Sequence, residues 1–158
     1  MNLDRLDYSI LNALVSDGRV SHVDLGQDVG LSATACARRI KMLEEAGVLK
    51  GSSAVIDWAA LGFTTNVIVR IALDSQRAED LEAFEKAVAK CPDVLACWLM
   101  AGADDYILHV VARDIPDYER VHKQSLSTLP RVARIQSSFA LRSIVDRRTP
   151  QRALSAPT

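Results

Sequence analysis

Between Ser32 and Leu43 the chain carries Arg38, Arg39 and Lys41 and no acidic residue. Cations on one stretch can neutralise phosphates, and an arginine can also bind guanine through two parallel hydrogen bonds. A second run suited to chemistry is Gly102-Ala103-Asp104-Asp105-Tyr106. Glycine lets backbone amides approach a ligand and hold a carboxylate, while Asp104 or Asp105 can pair with an ammonium group. Those are the two handles of a free amino acid. As bare patterns both runs have plainer readings. One is a solvated helix face with Glu44 and Glu45 pairing back to it; the other is a hairpin turn built on Gly and Asp.

The elements that must carry these residues follow from periodicity. Leu3, Leu6, Ile10, Leu11, Leu14 and Val15 recur at helical spacing, with Gly18 beyond them. Ser21-His22-Val23-Asp24 has the form of an N-terminal cap, and Leu25 and Val29 continue one face of a second helix. Gly30-Leu31-Ser32 breaks it, and Ser32 caps a third helix with Cys36, Ile40 and Leu43 inward. Three short helices with a tight turn between the last two make a helix-turn-helix. Gly26, in mid-helix, should cost about 1 kcal/mol relative to Ala unless helices pack closely there. Val48–Ile56 reads as two short strands around a polar turn, a wing beside the helices.

From residue 64 the pattern changes. Thr65–Leu73 is a strand rich in β-branched residues, and Ala78–Lys90 is helical through Leu81, Phe84 and Val88. Val94–Met100 and Tyr106–Ala112 form a hairpin, Asp114 caps a further helix, and Val132–Val145 is a last strand. The order β-α-β-β-α-β is the ferredoxin-like pattern of a four-stranded antiparallel sheet under two helices, so the fold class is α+β. The expected division is 1–56, a winged helix-turn-helix; 57–63, a linker; 64–145, the sheet domain; and 146–158, a loose basic tail with Arg147, Arg148 and Arg152. Both hairpin strands scarcely alternate apolar with polar residues. A sheet buried on both faces is therefore expected, its second face covered by another subunit in a homodimer, with cover by the N-terminal domain as the rival account.

The chain has 158 residues, 25% charged and 49% hydrophobic, with a formal net charge of −1. That is globular composition with no global basic field, so any polyanion must meet a local patch. No apolar run is long enough to span a membrane, and the opening residues lack a secretory pattern, so a cytoplasmic protein with reduced thiols is expected. Cys36, Cys91 and Cys97 make neither a disulfide framework nor a zinc motif. If the hairpin centres on Ala103, Cys97 and His109 face each other across the strands, too few ligands for a structural metal but the basis of a rival metal or redox reading. Catalytic and cofactor fingerprints are missing, and adjacent Asp104 and Asp105 would point to opposite faces, so neither enzyme nor cofactor is expected.

Val29–Leu49, with Leu6-Asp7 through Leu11, the Asp17-Gly18-Arg19 turn and Ser21 to Leu25, resembles the helix-turn-helix of the Lrp/AsnC family of transcription regulators. Gly102–Tyr106 resembles that family's Gly-Asp-x-Asp-Tyr loop, and Leu129-Pro130-Arg131-Val132 its Leu-Pro-Gly-Val strand entry. The resemblance spans roughly residues 3 to 145. It implies a winged helix-turn-helix on double-stranded DNA, and a ligand-sensing domain that dimerises and often builds octamers. An amino acid or related small molecule would adjust DNA binding.

On that basis Thr34 and Ala35 are expected at base edges, Ser32 or Ala33 near a phosphate, and Arg38 at base or phosphate. Arg39 and Lys41 would contact phosphates, and Lys50 would sit on the wing. The expected effector site is Gly102, Ala103, Asp104, Asp105, Tyr106 and Ser137. Three positions depart from the family pattern. Ala103 replaces an Asp, Ile135 stands with Ser137 where the family often has two Thr, and Arg131 replaces a Gly. A DNA organiser without any effector is the alternative these departures raise.

Overall fold

The computed structural model describes residues 2–155. Contacts gather these into two units, residues 2–55 together with 145–155, and residues 56–144.

The first unit is built on α1 (Arg5–Ser16), α2 (His22–Val29) and α3 (Ala33–Glu45). Each begins at the kind of cap its sequence requires. Asp4 accepts from the Asp7 amide at 2.9 Å while Asp7 accepts from the Asp4 amide at 3.0 Å, Ser21 accepts from Asp24 N, and Ser32 from Ala35 N. Ile10, Leu11, Leu25, Cys36 and Leu43 form the core, with Leu31, Ile40 and Leu49 packed against it. Gly30 ends α2 in the left-handed conformation, at φ 74°. Gly26 is buried, and a Cβ there would stand 2.5 Å from the Leu31 carbonyl oxygen, so the glycine marks where the entry to α3 crosses α2.

Two sequence expectations fail in this unit. Residues 48–56 form no strands. Val48 N and Leu49 N both turn back to Leu43 O, but the polar run after them has no third strand to pair with, and a lone hairpin is marginal in water. The segment expected to be a loose tail is instead tied down. Gln151–Leu154 form a 3₁₀ turn, Leu154 packs against the helical core, and Asn12 Nδ2 donates to Leu154 O at 2.8 Å. Residues 156–158 of that tail lie outside the described residues.

The second unit holds β1 (Thr65–Leu73), α4 (Ala78–Val88), β2 (Val94–Leu99), β3 (Tyr106–Ala112), α5 (Ile115–Gln124) and β4 (Val132–Ala140). The sheet is antiparallel in the order β2-β3-β1-β4, as the ferredoxin-like pattern requires. Val67, Val69, Ile71, Tyr106, Leu108 and Val110 meet Phe84, Val88, Tyr118 and Val121 in one core. β4 stops five residues short of the expected Val145. Its partner β1 pairs only back to Asn66, opposite Ala140, so nothing remains for residues 141–145 to pair with.

The hairpin also differs in register. Met100 N donates to Asp105 O, which sets Cys97 opposite Leu108 and Ala96 opposite His109. A one-residue difference moves every side chain to the other face. Cys97 therefore packs toward the helices while His109 lies on the open face, bonded to Asn66 Oδ1 at 2.9 Å. The proposed Cys97–His109 pairing does not exist.

Candidate nucleic-acid interface and effector site

Cys36 and Leu43 turn inward from α3 and so fix which residues turn outward. Ser32, Thr34, Arg38 and Lys41 are exposed, and Ala35 is half-buried. Ser32 Oγ accepts from Ala35 N at 3.2 Å, which leaves its hydroxyl able to donate beside the helix N-terminus. Lys41 lies 3.8 Å from Glu45, and Arg38 makes no ion pair among the described residues. Lys50 is exposed beyond α3. These groups can meet a phosphate backbone with the first turn of α3 presented to base edges.

Arg39 does something else. Its Nη1 lies 2.7 Å from Asp7 Oδ1 and 2.9 Å from Asp4 Oδ2, with the side chains of Arg39 and Asp7 only 20% and 5% exposed. The guanidinium joins α3 to the capping box of α1, and these carboxylates hold its pKa above the ordinary value. The Asp7 amide, and then Arg39, hold the Asp4 carboxyl below the usual carboxylate range. Arg39 is thus an internal brace, its Nη1 engaged by both acids. Sequence spacing gave no sign of it, because the partner acids lie more than thirty positions earlier.

In the second unit the expected effector residues divide between two surroundings. Asp105 is buried: its carboxylate accepts from Leu73 N at 2.7 Å and Gln76 Nε2 at 2.6 Å, and its amide donates to Ile71 O. It clamps the hairpin to β1. Tyr106 stacks on Phe84 and donates to Glu85 Oε1 at 2.9 Å; burial, with that carboxylate, raises its phenol pKa. Ser137 bonds the Tyr118 hydroxyl at 2.5 Å on the helix-covered face. These three serve the interior.

Gly102, Ala103 and Asp104 remain at the accessible tip. Asp104 gathers two cations the sequence reading missed: Arg134 Nη2 at 3.1 Å and Arg70 Nε at 3.8 Å. Both sit on the open face, since Arg70 and Arg134 occupy alternate positions to the buried Val69, Ile71 and Ile135. The alternation itself was the signal that could have found them. The same face carries Ile68, Trp98 and Ile107, with Trp98 51% exposed.

Arg131 also has a place. It takes φ 62°, a left-handed conformation that suits the family's Gly, and its Nε bonds Asp80 at 3.0 Å with Asp74 at 3.8 Å. Ser75, first, and Arg131 hold Asp80 below the usual carboxylate range. Among the described residues, no helix is long and apolar enough to cross a membrane.

Comparison with known proteins agrees with both halves. A family model described as winged helix-turn-helix DNA-binding matches residues 3–50, and one described as Lrp/AsnC ligand binding domain matches residues 66–150. The Bkd operon transcriptional regulator of Pseudomonas aeruginosa is 40% identical over 148 residues, covering 94% of this chain and 97% of its own. The crystal structure of an AsnC family transcriptional regulator from Agrobacterium tumefaciens superposes with a TM-score of 0.90 at 34% identity, over 96% of this chain and 99% of that one. A Neisseria meningitidis transcriptional regulator, solved as a complex with L-Met, also gives 0.90, at 30% identity over 97% and 99%.

Proposed function

The chain belongs to the Lrp/AsnC family of DNA-binding transcription regulators, and from that premise we propose that it reads duplex DNA with α3 and answers to an amino acid held at the Gly102–Asp104 tip. The observation that carries the DNA half is the division of labour on α3. Arg39 braces the fold, which leaves Ser32, Thr34, Ala35 and Arg38 as the reading face, with Lys41 and Lys50 as flanking phosphate contacts. Arg38 pairs with guanine or clamps a phosphate, and Thr34 and Ala35 meet base edges.

For the effector, Arg134 and Arg70 bind the α-carboxylate and Asp104 binds the α-ammonium, while Ala103 leaves room at the tip. This revises the sequence-based set. Asp105 and Tyr106 support the loop from behind, while Ser137 ties β4 to α5. The relative solved with L-Met supports the ligand class. The chain works as a cytoplasmic homodimer whose open sheet face, with Ile68, Trp98 and Ile107, is covered by a second copy, and dimers assemble further toward an octamer. Two reading helices then meet half-sites about one helical turn, ~34 Å, or a multiple apart. The effector shifts the arrangement of these helices by binding one assembly state more tightly than another.

Calorimetric titration with the common L-amino acids tests the effector assignment. At least one should bind the wild type and lose affinity at least tenfold with Arg134→Ala or Asp104→Ala. If every amino acid fails on the wild type while DNA still binds, the protein is an effector-independent DNA organiser.

A further inference from the structure

Residues 2–55 hold six basic and seven acidic side chains, a formal charge of −1 on the unit that must approach a polyanion. Residues 145–155 add three arginines against one aspartate and turn that unit to +1. The segment is anchored at both its ends. Leu154 packs on the helical core, and Asn12 Nδ2 bridges Tyr8 O at 2.9 Å and Leu154 O at 2.8 Å. At the other end, Arg148 Nη1 reaches Ser53 Oγ at 3.4 Å. Ser53 lines a surface cleft of about 380 Å³ between residues 52–55 and the α1–α2 turn, which contributes Asp17, Gly18 and Arg19. Arg19, Lys50, Arg147, Arg148 and Arg152 are exposed, and none makes an ion pair among the described residues. Cations left unneutralised and held in place on one domain are suited to phosphates, because binding there releases counterions without the cost of ordering a free tail.

We infer that residues 145–155 are a strap belonging to the DNA-binding unit, and that Arg147 and Arg148 contact the phosphate backbone of duplex DNA beside the reading helix. The strap fills the part that a stranded wing would play, next to the irregular residues 48–56. It rests on the DNA-binding reading of α3 and adds a second surface to it.

The test is the salt dependence of binding to a mixed-sequence DNA duplex, measured with the full chain. Replacing Arg147→Gln with Arg148→Gln should reduce the slope of log affinity against log salt by about 2, near 0.9 per lost phosphate contact. Arg147→Lys with Arg148→Lys should keep the slope, which a merely structural role for the arginines would not require. Asn12→Ala with Leu154→Ala, which loosens the strap but keeps its charges, should weaken affinity at moderate salt. Slope and affinity unchanged in the Gln variant, while Arg38→Ala still impairs binding, would overturn the strap and leave the α3 reading standing. A wild type that binds no duplex would overturn both.

Discussion

Gly26→Ala separates two physical effects of opposite sign. Helix propensity alone favours Ala in a helix interior by about 1 kcal/mol. Against that, the new Cβ would lie 2.5 Å from the Leu31 carbonyl oxygen and 3.4 Å from Ala33 N. The obstacle is backbone at the crossing of α2 with the entry to α3, and Gly26 O already accepts from Leu31 N at 2.8 Å, so no flexible side chain can move aside. Overpacking of this kind costs about 1–3 kcal/mol, and a backbone obstacle belongs in the upper part of that range. The net expectation is a loss of about 1–2 kcal/mol, which for a unit of this size lowers the melting temperature by about 5–15 °C. Differential scanning calorimetry of the full chain reads it directly, in the transition of the helical unit. DNA affinity should fall as well, since relief requires α3 to rotate or slide. A melting temperature that stays level or rises would mean that the close crossing is not rigid.

Asp7→Ala should destabilise the same unit by about 1–3 kcal/mol, because it leaves Arg39 only the half-exposed Asp4 and removes half of a capping box; chemical denaturation measures it. Burial lifts the Cys97 thiol to about 11, so at pH 8 its alkylation should be far slower than that of a free cysteine, and fast labelling would contradict the packing of Cys97 against the sheet core. Asp4, Asp80 and Asp117 all lie below the ordinary carboxylate value, so the unfolded chain takes up protons before the folded one does. Their stabilisation is present above about pH 4 and is lost as pH falls through the lower folded values, which acid titration by circular dichroism should show. In Arg131→Gly the Asp80 share of that acid limb should move to higher pH, and an unmoved limb would mean the Arg131–Asp80 pair does not hold in solution.

The fold was legible where local chemistry decides it. Ser21, Ser32 and Asp114 each cap the helix that their position implied, and the β-branched run Thr65–Leu73 is β1 as read. Pairing between distant segments was less visible. The hairpin register depends on Met100 closing onto Asp105, and a centre placed half a residue away sends Cys97 and His109 to the same face when they belong on opposite ones. The Arg39 brace joins α3 to the start of α1, a relation no spacing rule encodes. Residues 146–158 read as loose because their composition is polar and prolyl, while Leu154, which anchors the described part of them, is one leucine among many. At the candidate effector site, the motif gave the loop as a run of residues but not which carboxylate stays accessible. That follows from the two hydrogen bonds that bury Asp105 and leave Asp104 with Arg70 and Arg134.

The most direct test of the central claim is the affinity of Arg38→Ala, beside the wild type, for a duplex selected by the wild type from a random pool. Specific binding should fall at least tenfold in Arg38→Ala while its melting temperature stays within about 4 °C, since surface changes of this kind alter stability by at most about 0.5 kcal/mol. Equal affinity of the two proteins, with the same salt dependence, would show that α3 is not the face that reads DNA.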